Sequence, residues 1–143
     1  MGGAFQGVHL DLHSSIDVLD HVQQVAEDVC RAVGLDEETL HWTSMAVREC
    51  VINAITHGNH SNPDKTVSVD FALEQHGGQR DLAVIVRDQG NGFEPSQLTD
   101  PLAPENILST SGRGIFLVRQ FMDDVTFQRT RAGGTEVRML KHL

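Results

Sequence analysis

Leu82-Ala83-Val84-Ile85-Val86-Arg87-Asp88-Gln89-Gly90-Asn91-Gly92-Phe93 is the stretch on which the fold turns. The unbroken apolar run at residues 82–86 reads as a strand buried on both faces. Asp88 follows at once, so the strand end holds it rigidly at the edge of a sheet. Gly90 and Gly92 then permit positive φ and close approach of a ligand to the backbone. The same residues would also make a plain turn. They are not a Walker A loop, because no G-x-x-x-x-G-K-[ST] is present. They do not open a Rossmann unit either, because no helix starts directly after them.

Upstream, residues 66–73 alternate, with Val67, Val69 and Phe71 on one face, and His76-Gly77-Gly78-Gln79 is a turn. Residues 59–65 form a loop around Asn62-Pro63-Asp64. Residues 8–13 alternate as a half-buried strand does. Ser14 or Ser15 can cap a first helix carrying Ile16, Leu19, Val22, Val25, Ala26, Val29 and Val33, which Gly34 ends. Asp36 can cap a second helix running to about Gly58. Downstream, residues 94–111 hold three of the four prolines and little periodicity, which predicts a long loop. A third helix is expected over 114–122. A closing hairpin pairs 125–130 with 135–140 across Ala132-Gly133-Gly134. The order β-α-α-β-β-loop-α-β-β predicts an α+β fold, with helices on one face of a mixed, mostly antiparallel sheet.

The chain has 143 residues, 39% hydrophobic and 22% charged, which suits one domain over 1–143. Eleven basic against 20 acidic residues give a net charge of −9, which argues against nucleic acid as a partner. No apolar run is long enough to span a membrane, and the N-terminus carries no secretory signal. Cys30 and Cys50 match no zinc motif and read as reduced core residues of a cytoplasmic protein. His57 and His60 lack a ligand set at metal spacing and read as surface histidines.

Chemistry concentrates in the second helix and after it. The helix is apolar nearly all round at residues 45–55, except for Glu49 and Asn53, which lie one turn apart on one face. Such groups are costly to bury unless paired. Arg48 or Arg87 could answer Glu49, and Asn53 could cap a backbone group. Otherwise an acid and an amide point into a polar cavity that a metal and a reacting hydroxyl would use. Ser111-Gly112-Arg113-Gly114-Ile115 precedes the third helix, where free N–H groups and the helix dipole favour an anion and Arg113 can add a bond to phosphate. A hinge is the plainer reading of those glycines.

Taken together these segments resemble the GHKL (Bergerat-fold) ATPases. Residues 49–58, Glu49-Cys50-Val51-Ile52-Asn53-Ala54-Ile55-Thr56-His57-Gly58, look like that family's N box. Asp88-Gln89-Gly90-Asn91-Gly92 looks like its first glycine box, Gly112-Arg113-Gly114 like its second, and Gly134-Thr135 like its last small box. The match is closest to bacterial anti-sigma-factor serine kinases of the RsbW/SpoIIAB type and covers roughly residues 15–141. The resemblance implies a two-layer α/β sandwich that binds ATP and Mg2+. It makes Asn53 the magnesium ligand, Asp88 the acceptor for the adenine amino group and Thr135 its support. Gly90 and Gly92 would let the backbone approach the base, while Gly112, Arg113 and Gly114 would wrap the phosphates. Residues 94–111 would be the lid over ATP. Glu49 would be the general base on a serine hydroxyl of an anti-anti-sigma (STAS-domain) partner, and the same protein would sequester a sigma factor. A homodimer is also implied, with the first strand and first helix as candidate surfaces. Two other readings stand beside it. One is a nucleotide-gated binding module without catalysis. The other is the catalytic domain of a two-component histidine kinase, against which no helical segment with a phospho-accepting histidine precedes the domain.

Overall fold

The computed structural model describes residues 7–90 and 117–143. The expected lid at 94–111 and the start of the third helix lie outside those residues.

Strand β1 spans Gly7–His13. Ser15 then caps a short 3-10 turn, Ile16–Val18, its hydroxyl accepting from the Asp17 N–H. Helix α1, Leu19–Ala32, buries Leu19, Val22, Ala26, Val29 and Cys30 along one stripe. The chain leaves it through Gly34 at φ +91°, a left-handed conformation that favours glycine. Asp36 caps α2, Glu37–Asn53, by accepting the Thr39 N–H at 2.8 Å. The helix does not run on regularly to Gly58: Ala54–Gly58 widens into a π-helical turn, with Asn59 N–H donating to the Ala54 carbonyl.

Strands β2, Thr66–His76, and β3, Gln79–Arg87, form a hairpin. Residues 117–121 are helical, and β4, Asp124–Arg129, and β5, Thr135–His142, close the chain. The five strands are ordered β1-β2-β3-β5-β4, and every pairing is antiparallel. Among the described residues the mostly antiparallel sheet that was expected is thus antiparallel throughout. Placing β5 inside rather than at the edge sets its first residues against the end of β3, with Glu136 opposite Arg87.

Period two on the strands supplies one apolar face: Leu12, Val67, Val69, Phe71, Leu82, Val84, Val86, Val125 and Met139. Helices α1, α2 and 117–121 cover that face, with Val47, Val51, Ile55 and Val118 each 0% exposed. Each such side chain contributes about 1.5–3 kcal/mol when fully buried. On the opposite face β3 is less dry than its composition suggests, because Ala83 is buried but Ile85 only half-buried. A polar ladder crosses there from β1 to β4 through His9–Asp70, Asp70–Arg87, Arg87–Glu136 and Glu136–Gln128. Trp42 of α2 stacks on Phe121 at 4.6 Å with 7° between the rings, which locks the later helix to the first turns of α2.

Candidate functional site

The end of β3 delivers Asp88 as the buried strand predicts, only 8% exposed. Its N–H donates to the Thr135 carbonyl at 3.0 Å, extending the β3–β5 ladder by one residue. Its carboxylate Oδ1 accepts two backbone N–H groups, from Gly90 at 2.9 Å and Thr135 at 3.0 Å. Among the described residues no hydrogen bond reaches Oδ2. The carboxylate is thus held by one oxygen, leaving the other as an acceptor.

Three backbone segments meet around Asp88 too closely for any side chain. A Cβ on Gly58 would overlap Asp88 Oδ2, one on Gly90 would overlap the Gly58 carbonyl, and one on Gly134 would overlap the Asp88 carbonyl. The π-helical turn brings Gly58 to this position, and the β4–β5 turn brings Gly134. Here glycine is required by contact rather than by φ. Gly92, Gly112, Arg113 and Gly114 lie outside the described residues.

The other pole is α2. Glu49 and Asn53 are half-buried and one turn apart. Neither arginine considered as a partner for Glu49 is available to it. Arg48 bonds Asp20 at 2.9 Å and Gln23 at 3.0 Å, while Arg87 bonds Glu136 at 2.7 Å and Asp70 at 3.0 Å. Among the described residues no hydrogen bond or ion pair engages the Glu49 carboxylate. Asn53 caps nothing, and its Nδ2 is buried with no hydrogen-bond partner. A buried polar atom left unpaired costs about 1–3 kcal/mol, and as an N–H donor this one calls for an acceptor oxygen such as one on a phosphate.

The Glu49 carboxylate and the Asn53 side-chain oxygen are the hard donors on this face, and they suit a cation that keeps water and phosphate oxygens in its shell. Magnesium binds that way, through one or two protein oxygens rather than a full protein cage. Among the described residues there is no cluster of three or more His, Cys, Asp or Glu able to hold a metal by itself. His57 and His60 are both exposed. Cys30 and Cys50 are free and buried; burial pushes each thiol up to about 12, the Glu27 charge adding to it at Cys30 and the Glu49 charge at Cys50. Both are therefore protonated and unreactive at neutral pH.

Reading the sequence passes over two parts of this site. Gly58 looks like a helix terminator, yet it packs against Asp88. Asn59 looks like the start of a loop, yet it is 0% exposed. The Asn59-His60-Ser61-Asn62 run gives only a turn signal, with nothing to mark its first residue as internal.

Residues 12–141 match the family described as "Histidine kinase-like ATPase domain". The chain is similar to the anti-sigma F factor of Heyndrickxia coagulans, 39% identical over 113 residues, covering 76% of this chain and 72% of the relative. It is also similar to the anti-sigma F factors of Bacillus velezensis, 38% identical over 101 residues, and Bacillus subtilis, 36% identical over 101 residues; each match covers 68% of this chain and 65% of the relative. Among solved structures, the RsbU and RsbW domains of a Mycobacterium tuberculosis protein superpose with a TM-score of 0.66 at 18% identity, covering 96% of this chain and 32% of that one. That likeness bears on the fold alone. Among the described residues no helix is long and apolar enough to cross a membrane. With the family match running nearly end to end, the chain belongs to the histidine kinase-like (GHKL) ATPases, as a relative of the bacterial anti-sigma factors.

Proposed function

We propose that this chain is an ATP-dependent serine kinase and anti-sigma factor. It phosphorylates a serine of an anti-anti-sigma (STAS-domain) protein and sequesters a sigma factor. The observation that carries the reading is that, among the described residues, neither the Glu49 carboxylate nor the Asn53 amide nitrogen has a partner and Asp88 Oδ2 accepts no hydrogen bond.

In this reading Asp88 Oδ2 accepts a hydrogen bond from the adenine amino group, and the Thr135 N–H fixes the carboxylate from behind. Gly90 and Gly92 let the base lie close to the backbone, and Gly112, Arg113 and Gly114 embrace the phosphates. Asn53 would hold Mg2+ through its side-chain oxygen, and the ion would supply charge neutralisation on the phosphates. Glu49 takes the proton from the serine hydroxyl as its oxygen forms a bond to the γ-phosphorus. The bond from that phosphorus to the β–γ bridging oxygen breaks, and ADP leaves. Such a reaction asks the protein mainly for positioning and charge neutralisation. Lys65 and Lys141 are the only lysines, so the metal and backbone N–H groups carry much of that neutralisation. Residues 1–143 act as one domain, in the cytoplasm, as a homodimer, without nucleic acid or membrane as a partner.

The test is calorimetric titration with ATP and Mg2+, set beside Asp88→Asn. A dissociation constant near micromolar, roughly −8 kcal/mol, is expected. The variant should lose about 10- to 100-fold, the worth of one hydrogen bond to a charged group. No heat and no thermal stabilisation at millimolar ATP would overturn the assignment.

A further inference from the structure

Asn59 is a polar residue with no exposure at all, placed directly after the π-helical turn. Its amide joins three separate segments. Nδ2 donates to Ser14 Oγ at 2.6 Å, just past β1, and to the Thr66 carbonyl at 2.9 Å, at the start of β2. Oδ1 accepts the Gln89 N–H at 2.7 Å, the residue between Asp88 and Gly90. Gln89 is gripped a second time, because its side-chain Oε1 accepts the Thr66 N–H at 2.7 Å. Asn59, Thr66 and Gln89 therefore close a ring of hydrogen bonds. The orientation of the Asn59 amide follows from its partners: reversed, its oxygen would face a carbonyl and its nitrogen an N–H.

The chain beyond Asn59 bends sharply to allow this. His60 and Ser61 stand at φ 52° and 56°, in the left-handed region that few residues other than glycine adopt. Ser61 N–H donates to the Ile55 carbonyl at 2.7 Å, and Asn62 N–H to the Asn59 carbonyl at 3.0 Å, which hold the bend. Such conformations persist where the surroundings over-determine them, and they cluster at functional sites.

We propose that Asn59 is a positioning residue for base selection: it fixes the Gln89 backbone, and through it Asp88 and Gly90, against the end of α2. This rests on the reading of Asp88 as the adenine acceptor. Asp88 is anchored from the β5 side by Thr135. Asn59 supplies the anchor from the α2 side, where the Gly58 carbonyl already lies too close to Gly90 for any side chain. With Asn59 gone, the loop keeps the Thr135 bonds and the Gln89 side-chain bond to Thr66 but loses its backbone tie to the end of α2, and the Asp88 carboxylate loses its fixed aim.

The experiment compares dissociation constants for Mg2+–ATP and Mg2+–inosine triphosphate, whose base carries a carbonyl in place of the amino donor. The wild type is expected to prefer ATP by about tenfold or more. In Asn59→Ala that ratio should fall to within about twofold, measured below the unfolding midpoint on protein shown folded by circular dichroism. Asn59→Asp keeps an oxygen for the Gln89 N–H while setting the other against the Thr66 carbonyl. It should lose stability yet keep the ratio. An Asn59→Ala protein that is less stable but still discriminates overturns the inference and leaves the Asp88 reading standing. If Asn59→Ala does not fold, Asn59→Asp decides, and loss of its preference with the fold retained overturns the inference. A wild type indifferent to the base removes the Asp88 reading, and this one with it.

Discussion

At one pole of the site Asp88 sits in a cage of backbone, with two N–H groups on one oxygen and Gly58, Gly90 and Gly134 packed against it. At the other pole Glu49 and Asn53 project from one helix face, and the Asn53 amide nitrogen is buried without a partner. The first region is finished by folding. The second keeps a buried amide nitrogen unpaired after folding, at an energetic cost, and under the proposed function a ligand and a metal would finish it. A contact completed by folding adds to stability, whereas a group held unpaired subtracts from stability and returns the difference on binding. Substitutions at the two poles should therefore differ in kind.

The largest effect belongs to the open pole. Glu49→Gln should lower phosphoryl transfer to the partner serine by about a thousandfold, within the range general bases supply, while the affinity for Mg2+–ATP stays within about twofold. Transfer at the wild-type rate would remove Glu49 from the role of base; lost ATP affinity would place it in binding instead.

Gly90→Ala strikes the closed pole, because its methyl group would land on the Gly58 carbonyl. Overpacking of that kind costs about 3 kcal/mol, so the urea midpoint should fall together with nucleotide affinity. A variant of unchanged stability would mean that the helix end yields easily, and the contrast between the poles would weaken.

Asn53→Ala sharpens the comparison most directly, since stability and binding should move in opposite directions. Removing an unpaired buried donor should leave stability unchanged or raise it by about 1 kcal/mol. The magnesium-dependent part of ATP affinity should fall at least about tenfold. A marked loss of stability in denaturant would show that Asn53 already has a structural partner.

The smallest effect is a control remote from both poles. His142 bonds Asp81 at 2.6 Å, at the opposite end of β3 from Asp88. That bond, with the Asp123 and Asp81 charges, raises the histidine pKa above 6.5 against a smaller opposing effect of burial. A pKa raised by folding gives stability that is complete below the unfolded value and fades as pH rises through the folded one. The stability advantage of wild type over His142→Gln should thus shrink as pH rises above the ordinary histidine value and through the raised one, read from denaturation midpoints, with ATP affinity indifferent to the substitution. An advantage that grew with pH would reverse the sign assigned to this contact.

Local patterning along the chain sets the elements and several of their ends. The period of α1, the Asp36 cap, the Gly34 exit and the alternation in β2 are local properties, set by the conformational preferences of neighbouring residues. It also marked Glu49, Asn53 and Asp88, because a polar residue in an apolar run is visible without knowing what lies across from it. Only the tertiary structure decided that β5 enters between β3 and β4, so that Thr135 meets Asp88. Only there did Arg48 and Arg87 find Asp20, Asp70 and Glu136 and leave Glu49 without a partner among the described residues. The inward turn of Asn59 and the packing of Gly58 and Gly134 on Asp88 belong to the same class. Each joins segments far apart in the chain, and no local spacing encodes which backbone will approach which. That choice follows from burying the apolar faces of α1, α2 and the sheet together, which brings the polar ends of the elements to a common edge.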